Sequence, residues 1–501
     1  MIAVASRGWF YLALVVTLAF RVWLSAAAPM TADEAYFVLW GRKPDIGFYD
    51  HPPMIGWLLA PLVALSDADW VARLPATLLP AAVGLSVRGA LRRWFGKDEA
   101  TANLAGLAVL LVPLNVWGVL VTTDAPLVLF SVISFLLFAR AAQRGSLALF
   151  AVSGVALGLA FLSKYFAVLL GVGYLAWAGA ARGAPRRWSG PLAALAVAVP
   201  FGLVNLWWNY EACWSNVMFN AINRHDTAGW SVLTPVFYLA SLAYLAAPIF
   251  WYAWRERDRV RAAWTEYHER ALLLAWLVPL VIFALISPLR RIGLHWMLSF
   301  VPALILTAAL VLQRRQLEAS VRFFAVFALL HVAVIAAIAA IPLEAWKSSR
   351  LYPRLVFLAR APELIRAVEP MLDRYALAAD SYPGAALLAY HSHREVPVFG
   401  PGSSHARHDD ILTDWRRYAG RNLLVLRREA PLAADYRPFF KEIEMATVPL
   451  AGAEFHAVLG RGFDYETYRL RVLADVRARY YRIPKWLPVG RCYFFERYFP
   501  Q

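Results

Sequence analysis

Charge and sulfur are both scarce in this sequence. Only 17% of its 501 residues are Asp, Glu, Lys or Arg, while 60% are hydrophobic. That balance excludes an ordinary soluble domain, in which about 25% of residues are charged. Two cysteines, Cys213 and Cys492, are too few for a disulfide scaffold and lack metal-ligand spacing, so two unrelated free thiols are expected. No glycine-rich phosphate loop, internal repeat or low-complexity tract is present, which argues against P-loop nucleotide chemistry and solenoids. Acidic residues are outnumbered, 34 against 50 basic ones, for a net charge of +16. The basic residues stand between long apolar runs and form no stripe, so the charge points to anionic lipid head groups and phosphates, not nucleic acid.

Apolar helix is what the sequence has in abundance. A bilayer core about 30 Å thick takes roughly 20 apolar helical residues. Spans are expected near 9–28, 70–90, 101–121, 125–143, 147–163, 165–181, 191–209, 232–254, 271–287, 295–312 and 321–341, eleven in all. Arg7, Trp9 and Phe10 open the first, whose apolar run is too long for a signal-peptide core and which is expected to stay uncleaved. With a cytoplasmic N-terminus, the inner connections hold eighteen Lys and Arg against seven in the outer ones, and the positive-inside rule favours that orientation. An odd number of spans then places the rest of the chain outside.

That remainder, residues 343–501, is a different material. Charges become dense and apolar runs short. Strand-type segments at Tyr375–Ala379, Val396–Phe399 and Leu423–Leu426 alternate with a helix expected over Asp409–Tyr418. The fold class is therefore a multi-span α-helical membrane domain, 1–342, with loop helices at about 29–60, followed by an extracytoplasmic α/β domain. His391, His393, His405 and His408 fall in or beside a Gly-, Pro- and Ser-rich loop and read as solvated surface.

Parity gathers the unusual polar groups on one side. Asp33, Glu34, Asp50 and His51 follow the first span, Asp124 the third, Lys164 the fifth, Arg224, His225 and Asp226 the seventh, and Arg290, Arg291 and His295 the ninth. Ionisable residues at membrane depth mark sites or pathways, so this gathering implies one extracytoplasmic active cavity. Met30–Trp40 reads as an amphipathic helix in the interface, with Asp33, Phe37 and Trp40 on one face. Asp33 and Glu34 are about 100° apart on it, and Asp33 is taken as the inward one. Two prolines after Asp50-His51 fix an extended segment that displays both. Lys164, inside a nearly continuous apolar run, needs an anionic partner or a route to water.

Asp33-Glu-Ala-Tyr36, Gly47-Phe-Tyr-Asp-His-Pro-Pro53, Thr123-Asp124, Ser163-Lys-Tyr165 and His295-Trp296 together resemble the bacterial members of the protein O-mannosyltransferase and aminoarabinose-transferase superfamily. These are integral-membrane glycosyltransferases of the GT-C architecture. The resemblance covers about residues 1–310. It implies transfer of a sugar from a polyprenyl-phosphate donor to a lipid or surface-glycan acceptor at the periplasmic face of the bacterial inner membrane. It also implies catalytic roles for Asp33, its neighbour Glu34, and Asp124, and a donor-phosphate role for Lys164. Tyr165, Arg224, Arg290 and Arg291 are expected to assist at the phosphate, and Tyr36, Trp40, Asp50, His51, His225 and His295 to line the substrate pocket. No cofactor is required. Asp33, Glu34 and Asp124 are hard ligands that leave a divalent metal open, although no ligand spacing specifies one. Two alternatives stay open: a protein O-glycosyltransferase of the same class, and a lipid or sugar transporter. A transporter gathers polar groups near the midplane, usually in repeats.

Overall fold

The computed structural model describes residues 7–223 and 229–500. The chain divides into a helical unit, Met1–Ala27, Trp70–Val204 and Ala228–Ile338, and a sheet-bearing unit, Ala28–Asp69, Asn205–Thr227 and Ala339–Gln501. Seven helices among the described residues are long and apolar enough to cross a membrane: Arg7–Ala27, Leu74–Arg93, Asp124–Arg144, Ser189–Glu211, Leu233–Arg255, Tyr267–Ile286 and Arg314–Ala340. Each matches an expected span. The other four expected spans are shorter apolar helices, Glu99–Leu111, Leu147–Ser163, Ala167–Ala180 and Val301–Val311. Proline explains two of the shortenings: the first stops ahead of Pro113, and the last starts at Val301-Pro302 after a separate turn at Leu294–Met297.

Within the helical unit, Asp124–Arg144 and Leu147–Ser163 form a hairpin. Gly145 ends the first helix in the left-handed conformation (φ 62°), and the Ser146 hydroxyl caps the second by accepting from Leu149 N–H. Gly154 and Gly158 give the second helix a small-residue stripe. A Cβ at Gly154 would sit 2.2 Å from the Ala194 carbonyl oxygen, and one at Gly158 2.3 Å from the Phe201 ring, so the helix Ser189–Glu211 lays its backbone against Gly154 and an aromatic ring against Gly158 as closely as glycine permits. Arg21 is buried and donates to the carbonyls of Thr77 at 2.9 Å, Ala76 at 2.5 Å, Gly118 at 3.0 Å and Asn115. It thus serves carbonyls that the short helix Pro113–Trp117 leaves unmet at its end.

Among the described residues the sheet-bearing unit has four strands: β1 (Ala376–Ala379), β2 (Leu423–Arg427), β3 (Phe440–Leu450) and β4 (Ala453–Phe463), in the order β1-β2-β4-β3. β1 and β2 are parallel, and β2-β4 and β4-β3 antiparallel. Both faces of β2 are covered. Leu423 and Val425 enter one core with Phe399, Trp415 and Tyr468, and Leu424 and Leu426 enter another with Val356, Leu364 and Phe455, as alternation along a strand requires. Two-sided burial explains why β2 reads as a continuous apolar run. The expected strand at Val396–Phe399 is reduced to a single bridge, Ala379 to Val398. The helix expected over Asp409–Tyr418 is broken into Asp409–Leu412 and a 3-10 turn, Trp415–Tyr418, because the Asp414 carboxylate accepts Arg416 N–H at 3.1 Å and starts a new turn.

The free-thiol expectation is overturned. Cys213 and Cys492 form a disulfide, Cα to Cα 4.4 Å, across 279 residues of sequence. The segments around it are laced together: Trp214 Nε1 donates to Pro488 O at 2.7 Å, Cys213 N to Arg491 O at 3.3 Å and Gly490 N to Tyr210 O at 3.2 Å.

Candidate active site

The helix Ala32–Arg42 begins with Thr31, whose hydroxyl accepts Glu34 N–H at 3.3 Å while the Glu34 carboxylate accepts Thr31 N–H at 3.1 Å. This capping box commits Glu34, 1% exposed, to the helix start. Asp33, one residue earlier, is exposed. The inward assignment is therefore reversed at this turn: Phe37 and Trp40 are buried, and of the two carboxylates Glu34 is buried with them. Asp33 nevertheless has a specific partner. The Tyr382 hydroxyl, at the first position of the helix Tyr382–Ser392, donates to Asp33 Oδ1 at 3.0 Å. Burial and the Asp33 charge push the Tyr382 phenol above its ordinary range, so it remains a donor.

The Asp-His-Pro-Pro segment is bent, not extended as expected, because Phe48 N–H donates to His51 O at 3.2 Å and Pro53 turns into the helix Met54–Leu65, and it is clamped rather than displayed. Asp50, 8% exposed, accepts from Tyr36 OH at 3.1 Å, and Tyr36 in turn accepts His408 N–H at 3.1 Å. His51 Nε2 lies 3.9 Å from Asp50 Oδ2. Asn216 and Asn220 donate to the carbonyls of Phe48 and Asp50 at 3.0 and 3.1 Å. Trp40 stacks on Phe48 with ring centroids 4.2 Å apart and 3° between planes. His408 packs edge-on against both, 5.8 Å from Trp40 and 5.0 Å from Phe48. It is 3% exposed, which corrects the solvated-surface reading for this histidine, whereas His393 and His405 are exposed. Burial, with the charge of Lys43, lowers the His408 pKa to about 3, so its ring is neutral. Arg224 and His225 lie outside the described residues.

In the helical unit, Asp124 and Lys164 form an ion pair of 2.8 Å, with the two residues 7% and 8% exposed. Asp124 opens the helix Asp124–Arg144, where a carboxylate is favoured by the unpaired N–H groups. Lys164 closes the helix Leu147–Ser163, and its ammonium also lies 5.5 Å from the centre of the Phe166 ring. Lys164 thus has the anionic partner that its apolar surroundings demand. Tyr165 is half-buried and packs on Phe161. Arg290 is half-buried, while Arg291 is exposed and lies 5.1 Å over Phe237. His295 is exposed in the turn Leu294–Met297. Among the described residues, no three His, Cys, Asp or Glu side chains converge as a metal site.

Residues 50–208 match the family model described as dolichyl-phosphate-mannose-protein mannosyltransferase. The lipid A galacturonosyltransferase RgtD of Rhizobium johnstonii is 30% identical over 291 residues, which are 54% of this chain and 58% of that protein. The chain therefore spans less than two thirds of that relative's length. In fold, the chain is similar to ArnT of Cupriavidus metallidurans, in its undecaprenyl-phosphate-bound form (TM-score 0.62, 15% identity) and its apo form (0.60, 16%), each match covering 90% of this chain and 98% of the other. The likeness read from the sequence motifs holds at the level of the fold, which is similar to that of ArnT.

Proposed function

We propose that this protein transfers a sugar from a polyprenyl-phosphate donor to a lipid or surface-glycan acceptor at the periplasmic face of the inner membrane, with inversion at the anomeric carbon. The observation that carries the proposal is Asp33: an exposed carboxylate, fixed by a tyrosine hydroxyl, on the motif that the superfamily resemblance marks as catalytic. Asp33 takes the proton from the acceptor hydroxyl as its oxygen bonds to the anomeric carbon. The bond from that carbon to the phosphate oxygen breaks, and the polyprenyl phosphate leaves with the electron pair. Lys164 is the cation proposed to meet the growing phosphate charge, with Arg290 and Arg291 in supporting roles. Lipid A is the acceptor favoured by the likeness to RgtD, and undecaprenyl phosphate the carrier favoured by the likeness to ArnT. Release of lipid phosphate from a synthetic polyprenyl-phosphate sugar by the purified protein, with lipid A present, is the direct test; no release defeats the reading.

Tyr382 is proposed to hold the Asp33 carboxylate in its reactive orientation. Tyr382→Phe removes one hydroxyl and is expected to lower kcat about tenfold with little change in acceptor KM, the signature of an interaction used in the transition state. Unchanged kcat counts against the role.

The Cys213–Cys492 bond supports an oxidising location for the sheet-bearing unit. Purified without reductant, the protein is expected to take up no thiol-reactive polyethylene glycol, and two equivalents after unfolding and reduction. Cys492→Ser is expected to destabilise the unit by about 2–5 kcal/mol. Two reactive thiols before reduction would remove this support.

A further inference from the structure

The helix Ser189–Glu211 is long and apolar enough to cross a membrane, and its last residues, from Asn205 on, belong to the sheet-bearing unit. They carry aromatics of the kind that mark the edge of an apolar layer. Trp207 is 60% exposed, and its ring lies 5.8 Å from that of Tyr210. Just beyond the helix stands Cys213, bonded to Cys492.

The segment 482–491 is moored to this helix end. Hydrogen bonds join Tyr210, Cys213 and Trp214 to Gly490, Arg491 and Pro488. A Cβ at Gly490 would sit 2.1 Å from the Tyr210 ring, so glycine lets the segment lie directly on the last turn. Further along, Leu487 N–H donates to Pro484 O at 3.0 Å and closes a turn with Lys485 and Trp486 at its two central positions. Trp486 is 76% exposed, and Val489 is exposed as well. Arg482, Lys485 and Arg491 are also exposed, and residues 482–491 include no Asp or Glu.

An indole among cations, with no acid between them, suits the head-group level of an anionic bilayer: the ring enters the acyl boundary while the cations meet lipid phosphates. A protein partner is the poorer match, because protein interfaces are depleted in lysine at their cores, and here Lys485 adjoins Trp486. The mooring supplies the depth. It ties the segment to the end of a membrane-spanning helix, and the four residues from Gly490 to Trp486 can reach at most about 14 Å from it.

We propose that the segment 482–491 is a membrane-interface anchor of the sheet-bearing unit, with the Trp486 ring in the head-group boundary of an anionic bilayer and Arg482 and Lys485 on its phosphates. The whole protein carrying Trp486→Cys is labelled with a nitroxide while the Cys213–Cys492 bond is closed, and placed in nanodiscs of mixed phosphatidylcholine and phosphatidylglycerol. Electron paramagnetic resonance then compares collisions with oxygen, which concentrates in the apolar layer, and with an uncharged water-soluble nickel chelate. The oxygen-to-nickel ratio is expected to be at least about threefold that of the same label on glutathione. Adding Arg482→Gln/Lys485→Gln, or omitting phosphatidylglycerol, is expected to lower it about twofold. Should Trp486→Cys fail to fold, the label at Val489→Cys reads the same boundary. A ratio equal to that of glutathione places the segment in water and overturns the proposal. A label shielded from both reagents is covered by protein and overturns it too, as does a ratio indifferent to phosphatidylglycerol and to the two cations. The readout needs no turnover, so its failure and that of the transfer reaction are told apart.

Discussion

Asp33→Asn is expected to lower turnover by about 10²- to 10⁴-fold, the contribution typical of a positioned general base, while the protein stays folded and binds donor lipid as before. The geometry makes this a clean experiment. Asp33 is exposed, so the change removes no buried contact, and surface substitutions of that kind usually alter stability by no more than about 0.5 kcal/mol. Asparagine also keeps an oxygen at the position that accepts from Tyr382. What is lost is the capacity to take a proton. The neighbouring carboxylate supplies the control. Glu34→Gln keeps the capping box, because glutamine serves at that position too, and a residue committed to the helix start is expected to tolerate it with turnover changed by less than about threefold. Single-turnover assays with a synthetic donor check both. Full turnover in Asp33→Asn would remove the base, and a collapse confined to Glu34→Gln would move its role one residue along the helix.

The sequence disclosed the candidate side chains better than their surroundings. Parity of the spans brought Asp124 and Lys164 to the same side, and the apolar run around Lys164 demanded a partner; the ion pair answers that demand. The pattern Thr31-Ala-Asp-Glu34 was a readable capping box that would have distinguished the two carboxylates without coordinates. Tyr382 carried no such signal, since it reaches Asp33 from 349 residues away and opens an otherwise plain helix. His408 looked solvated because Gly, Pro and Ser dominate its loop, yet Trp40 and Phe48 bury it. The cysteines teach a different lesson. Their number argued against pairing, but the span count had already placed both on the outer side, and compartment outweighs composition for a disulfide. The β3-β4 hairpin went unread because its turn is Ala451-Gly452, both at positive φ, where Asn-Gly would have announced it.

The ion pair changes what Lys164 substitutions should do. Removing one partner of a buried pair leaves the other charge uncompensated, and that costs about 3–5 kcal/mol. Lys164→Ala alone would therefore lose donor binding and stability together, whatever the lysine's role. The double variant Asp124→Asn/Lys164→Met leaves no charge behind and is expected to recover most of the stability of the parent. If Lys164 meets the donor phosphate, that stable double variant should still bind polyprenyl phosphate about ten- to a hundredfold more weakly, the value of a charge-assisted hydrogen bond of about 1.5–3 kcal/mol. Asp124→Asn alone should show the opposite division: lower stability, with donor affinity at least as high as the parent, because the ammonium is released from its carboxylate. Melting temperatures and donor titrations on the four proteins of this cycle separate the two functions. Parental donor affinity in a stable double variant would leave Lys164 as the structural counter-ion of Asp124 and require another cation for the phosphate.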